Sequence, residues 1–91
     1  MAVHELKIYP VFFEDVRFAK KTFDLRKNDR NFGVGDQIIF HEFNPDGEFE
    51  DYERERGYTG HHFIARITYI LSNFDGLLDS YCILGLIVSV N

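Results

Sequence analysis

Hydrophobic and polar positions change period several times along the chain, and each change marks an element. Leu6 and Ile8 face away from Glu5 and Lys7, an alternation of two that predicts a first strand over His4–Ile8. Tyr9, Phe12, Phe13 and Val16 then fall at i, i+3, i+4 and i+7, and Pro10 suits a first helical turn, where its missing N–H is not needed. A helix over Pro10–Ala19 follows. Glu14 and Asp15 come early in it and Arg17, Lys20 and Lys21 late, an order that suits the helix dipole.

The period of two returns with Thr22, Asp24 and Arg26 on one face and Phe23 and Leu25 on the other, a strand with one polar and one apolar side. Lys27–Asp36 is rich in Asn, Asp and Gly and reads as an exposed loop. Gln37–Phe43 is a strand centred on Ile38, Ile39 and Phe40, and Asn44-Pro45-Asp46-Gly47 is a turn that predicts a hairpin. Glu48–Arg56 is mostly charged and reads as a solvated arm or edge strand. After a turn at Gly57–Gly60, His62–Leu71 is the longest strand candidate, Ser72–Asp79 a short loop, and Tyr81–Val90 an apolar strand. Gly85 inside that last strand predicts a bulge or a close backbone approach. One early helix followed by short-linked strands, without repeat or linker, predicts a single α+β domain over residues 1–91: a small, mostly antiparallel β-barrel with the helix packed beside it.

Composition agrees with a folded core. Ten Phe and five Tyr in 91 residues supply much burial per residue. Cys82 is the single cysteine, so neither an internal disulfide nor a thiol-based zinc site is available, and a reducing cytoplasmic setting is expected. It reads as a small buried hydrophobe. No stretch is apolar for long enough to cross a bilayer as a helix, so no membrane role is expected. His61 and His62 are adjacent and would point to opposite faces of a strand, an arrangement ill suited to one metal. No metal or cofactor is expected. His4 and His41 read as interstrand surface or half-buried residues, and Tyr9 and Tyr58 either as rings that stack on a base or as core and rim packing.

Charge distribution adds what the total hides. The net charge is −5, yet Arg17–Arg30 holds six basic residues against two acids. A focused positive site on an acidic body draws a small anion or a short nucleic-acid segment and repels long polyanions elsewhere. Lys21 and Arg26 are suited to a phosphate or a base edge, with Asp24 between them to hold Arg26 or accept from an exocyclic amine. The alternative is an intramolecular ion pair of Asp24 with Lys21 or Arg26 on a solvated sheet face. Arg30 extends the site into the loop as a second phosphate contact. Separately, Glu42–Glu55 carries seven acids and one base, the composition of a face that contacts a basic protein.

The segment AKKTFDLR, residues 19–26, resembles the G-x-K-x-x-E-x-R signature of the ASCH domain of the PUA-like superfamily, and it sits directly after the first helix as in that family. HELKIYPVFFEDV, KKTFDLRKNDRNFGVGDQIIFHEF and YCILGL look like a small branch of ASCH-like proteins of bacteria and their phages. The resemblance implies a pseudobarrel with a cleft beside the first helix, lined by Lys21, Asp24 and Arg26, that binds RNA or a nucleotide-like ligand. Ala19 replaces the family's Gly and Asp24 its Glu, one methylene shorter. Some ASCH proteins are amidohydrolases that deacylate N4-acetylcytidine with a lysine, a threonine and a glutamate. Lys21 matches that lysine, while Asp24 stands at the threonine position and the Ser72–Asp79 loop offers only Asp75 or Asp79 for the glutamate. Thr22 in the threonine's role would be a new arrangement. Three readings follow: a binder of RNA or a nucleotide-like ligand through Lys21, Thr22, Asp24, Arg26 and Arg30; an amidohydrolase on an acylated nucleoside with Lys21 central; and a protein-interaction module using the acidic 42–55 segment.

Overall fold

The computed structural model describes residues 1–45 and 57–89. Its elements are β1 (Val3–Ile8), α1 (Pro10–Arg17), β2 (Phe23–Lys27), β3 (Gln37–Phe43), β4 (Tyr58–Ser72) and β5 (Tyr81–Val88). The strands form one five-stranded sheet in the order β1-β3-β4-β5-β2, so the fold is mostly sheet with one short helix. β1 pairs with β3 in parallel, and the other three pairings are antiparallel.

β1 and β2 are the two edges of this sheet, yet Arg26 of β2 donates from Nη2 to the carbonyl of Lys7 in β1 at 2.9 Å. Arg30, just past β2, donates from Nη1 to the carbonyl of Glu5 at 3.3 Å. The sheet therefore curls until its edges nearly meet, and arginine side chains span a seam that carries no β1–β2 ladder among the described residues. A free strand edge invites foreign pairing, and this seam occupies part of it from within the chain.

The curled interior is filled by Leu6 and Ile8 of β1, Ile38 and Phe40 of β3, Phe63, Ala65 and Ile67 of β4, and Cys82, Leu84 and Leu86 of β5. Helix α1 adds Phe13 and Val16, with the Phe13 ring edge-on to Phe63 at a centroid distance of 5.1 Å. Phe12 and Tyr9, expected on the same apolar stripe, are 40% and 55% exposed because eight residues of helix present only two positions to the sheet. Helix α1 ends at Arg17 rather than Ala19 and has no acid in its first turn. Lys20 and Lys21 thus lie beyond the helix, and of the expected dipole order only Arg17, in the last turn, remains.

Two strand readings and one loop reading change in the structure. β4 begins at Tyr58, not His62, because Tyr58 still pairs with Phe43 across an irregularity in the β3–β4 register. The Lys27–Asp36 loop is anchored rather than free: Phe32 and Asp36 are buried, and Gly35 donates its N–H to the Ile67 carbonyl at 2.8 Å. Most important, β2 is turned over. Its polar side faces in, with Asp24 6% exposed, and its apolar side faces out, with Phe23 and Leu25 48% and 55% exposed. β3 pairs antiparallel with β4, while residues 46 to 56, which hold half of the expected Asn44–Gly47 turn and the charged arm, lie outside the described residues. Among the described residues no helix is long and apolar enough to cross a membrane.

Candidate functional site

The chain leaves α1 through a left-handed residue. Ala19 has φ of 61° and donates its N–H to the Val16 carbonyl at 3.1 Å, and the Lys21 N–H reaches back to the Asp15 carbonyl at 2.9 Å. This reversal sets the direction in which β2 begins, and the Thr22 carbonyl then accepts from the Leu86 N–H at 2.9 Å. The alternation of β2 carries Asp24 and Arg26 to the same inward side.

Asp24 is held from two directions. Arg26 donates from Nε to Oδ2 at 2.5 Å, and Lys21 Nζ lies 3.7 Å from Oδ1. The Lys21 ammonium also stands over the Phe12 ring at 4.2 Å and the Phe23 ring at 5.3 Å, where the ring faces attract a cation. The ion pair anticipated as the alternative to a ligand site is thus formed, but on the inner side of β2 and not on a solvated face. A buried carboxylate left alone would cost several kcal/mol, which its two cations offset. Arg26 spends Nε on Asp24 and one Nη2 donor on β1, and among the described residues its Nη1 donors meet no acceptor.

Two clefts meet at Arg26 and Lys7. One of about 580 Å³ is bounded by Glu5, Lys7, Arg26, Arg30, His41 and Tyr58. The other, about 400 Å³, has Asp24 and Arg26 at its base and Tyr9, Phe12 and Phe43 as its aromatic wall. Of the five residues read as a site, Asp24, Arg26 and Arg30 line this seam. Lys21 joins it through Asp24, but its side chain and Thr22 border a third, more apolar cleft on the far side of the helix end. Arg30 is half exposed, 3.9 Å from Asp29.

Lys7, Glu5 and His41 were not read as site residues. Lys7 Nζ stands 4.5 Å from the centre of the Phe43 ring, and the parallel register sets Lys7 directly beside His41. His41 is buried against Tyr58, with Nε2 2.9 Å from Glu5 Oε1. The polar alternation of Glu5 and Lys7 was visible in the sequence. What aims it at Arg26 is the parallel β1–β3 pairing together with the curl, neither of which a local pattern encodes. Tyr58 and Tyr9 both reach cleft rims. His61 packs toward Phe13 and His62 toward His41, on opposite sides of β4. Cys82 is fully buried, and burial pushes its thiol pKa up, with the charge of Asp24 adding to the shift.

Away from the seam, His4 is buried rather than at the surface. Its Nε2 lies 2.8 Å from Asp36 Oδ2, and its ring is edge-on to Phe32. Asp36 also accepts from the N–H groups of Ala2 at 3.0 Å and Gly33 at 2.9 Å. The hydrogen bond with His4 first, and these two next, hold the Asp36 carboxyl at about 2. This cluster fastens the N-terminus and the loop before β3 together. Its role is structural.

Compared with known proteins, residues 3–86 match a family described as "Domain of unknown function (DUF3850)". The chain is also 36% identical over 77 residues to an "Uncharacterized 12.9 kDa protein in GpA 3'region" of Escherichia phage P2. That alignment covers 85% of this chain and 62% of the phage protein, so the chain spans under two thirds of that relative's length.

Proposed function

We propose that this chain, which belongs to the DUF3850 family, binds RNA or a nucleotide-like ligand in the seam between β1 and β2. The observation that carries this reading is the position of Arg26, which bridges the two edges and borders both clefts while its Nη1 donors meet no acceptor among the described residues. A phosphate group fits the larger cleft, where Arg30 and Arg26 present planar forks of donors beside the Lys7 ammonium. A base fits the smaller one, against Tyr9, Phe12 and Phe43, because aromatic rings stack on any base. The resemblance of residues 19–26 to the ASCH signature supports the same reading: its lysine, acidic and arginine positions are Lys21, Asp24 and Arg26, which form one ion-paired group. On this reading the curled sheet is a PUA-like pseudobarrel.

The test is a titration of isotopically labelled protein with short RNA oligomers, mononucleotides and N4-acetylcytidine, followed by amide shifts. Binding should shift residues of β1 and β2 together. Arg30→Ala should weaken RNA binding several-fold and lower the salt dependence by about one phosphate contact. Shifts confined to surfaces away from residues 3–8 and 19–30 would sink the reading. Release of acetate from N4-acetylcytidine, lost in Lys21→Ala, would replace binding with hydrolysis.

A further inference from the structure

The overturned β2 leaves an apolar surface that the seam clefts touch only at Leu25. Cross-strand register sets Phe23 opposite Gly85, itself opposite Tyr69, and sets Leu25 opposite Ile83, itself opposite Leu71. These rows lie on the outer side of β2, β5 and β4, since the row between them, Asp24, Leu84 and Ile70, points inward, with Asp24 and Leu84 buried and Ile70 packed against the core. Ile87 and Tyr81 extend the patch along β5. Tyr69, Ile87, Leu25, Phe23 and Tyr81 are 64%, 59%, 55%, 48% and 36% exposed. At the ~200 Å² that a free aromatic side chain presents, they amount to roughly 500 Å² of apolar surface, the upper part of the range for a monomer.

We propose that this face is the interface of a homodimer, two copies packing the outer sides of β2, β5 and β4 against each other about a two-fold axis. Area argues for a second copy. A stable interface covers ~800 Å² per partner and a homodimer interface is ~65% apolar, which calls for roughly 500 Å² of apolar surface on each copy. Charge argues for the same occupant and fixes its direction. Arg66, paired with Ile87, stands exposed at one end of the patch. The exposed acids Asp75 and Asp79 lie in the β4–β5 connection that leads into Tyr81 at the other end, where Lys27 pairs with Tyr81. A two-fold axis lying across the strands reverses their direction, so the basic end of each copy meets the acidic end of the other, as a self-complementary interface requires. The larger seam cleft shares no residue with the patch and stays open, while the smaller one shares Leu25 alone. Phe23, which stands beneath the Lys21 ammonium, links the two surfaces.

Sedimentation velocity on the whole chain tests this. The wild type should run at twice its 10.7 kDa mass at micromolar concentrations. Ile87→Glu and Tyr69→Glu, both at exposed positions, should run as monomers with unchanged circular dichroism. Arg66→Asp should weaken the dimer at least tenfold, and adding Asp79→Arg should restore it. A monomeric wild type overturns the proposal, as does a dimer that survives both glutamate variants. A species larger than a dimer overturns the two-fold arrangement, and failure of the charge reversal to restore pairing overturns the strand direction.

Discussion

Arg26 of β2 and Lys7 of β1 are joined side chain to main chain: the Arg26 guanidinium donates to the Lys7 carbonyl at 2.9 Å while its Nε holds Asp24. One residue therefore fastens the seam of the sheet and neutralises a buried acid. Removing the fork should cost stability twice over. Arg26→Ala is expected to destabilise the fold by about 3 kcal/mol, since it deletes a charge-assisted hydrogen bond and leaves Asp24 with Lys21 alone. Arg26→Lys keeps the charge but not the two-directional fork, and should still lose about 1–2 kcal/mol. Urea unfolding of both variants reads the difference, and a lysine variant as stable as wild type would show that charge alone holds the seam.

Asp36 predicts how the protein responds to acid. Its hydrogen bonds with His4, Ala2 and Gly33 favour the carboxylate in the folded state and lower its pKa from 3.8 to about 2. The unfolded chain takes up the proton first, so the stability Asp36 contributes is complete above about pH 4 and is lost as the pH falls toward 2. Asp36→Asn should lower stability at neutral pH and flatten the acid limb in that window. Urea midpoints measured from pH 2 to 6 for wild type and variant check this. Parallel curves would assign the acid response to other carboxylates.

Ala19 sits at φ of 61°, directly after the helix end, where helices usually carry glycine. A left-handed alanine costs roughly 1–2 kcal/mol, part of which glycine returns as entropy lost on folding. Ala19→Gly should therefore stabilise the protein by about 1 kcal/mol without moving Lys21. Thermal unfolding gives the sign, and a destabilised glycine variant would mean that the methyl group packs in a way the exposed position does not reveal.

Element types were legible in the sequence because each depends on a local period. The orientation of β2 was not. Alternation separates Thr22, Asp24 and Arg26 from Phe23 and Leu25, but it cannot say which side faces the interior, and the usual preference for apolar residues inside points the wrong way here. Asp24 can face inward because Lys21 and Arg26 neutralise it, a condition set by the Ala19 reversal and the seam. The same holds for Lys7, Glu5 and His41: their polarity was readable, while their convergence depends on a parallel β1–β3 pairing that spans more than thirty residues of chain. The basic stretch found by charge is split by the fold, with Asp24, Arg26 and Arg30 at the seam and Lys21 and Thr22 lining the cleft beyond it.

Gly85 ties the curl of the sheet to the site. It lies where β4 shifts register between Ile67 and Tyr69, and a Cβ placed on it would meet Tyr69 Cβ at 3.1 Å and Thr68 Oγ1 at 3.2 Å. The threonine hydroxyl can rotate away. Tyr69 Cβ cannot, being bound to the backbone, so the strands must part or the bulge must move. A glycine within an ordinary strand weakens it, and alanine there would stabilise by about 0.5–1 kcal/mol. Here the opposite sign is expected: Gly85→Ala should destabilise by about 1–2 kcal/mol, and Gly85→Val by more. Because Gly85 also pairs with Phe23, the disturbance should pass into β2 and shift the amide signals of Asp24 and Arg26. A Gly85→Ala variant at least as stable as wild type, with those signals unmoved, would show that the bulge yields easily and that the register of the site does not depend on it.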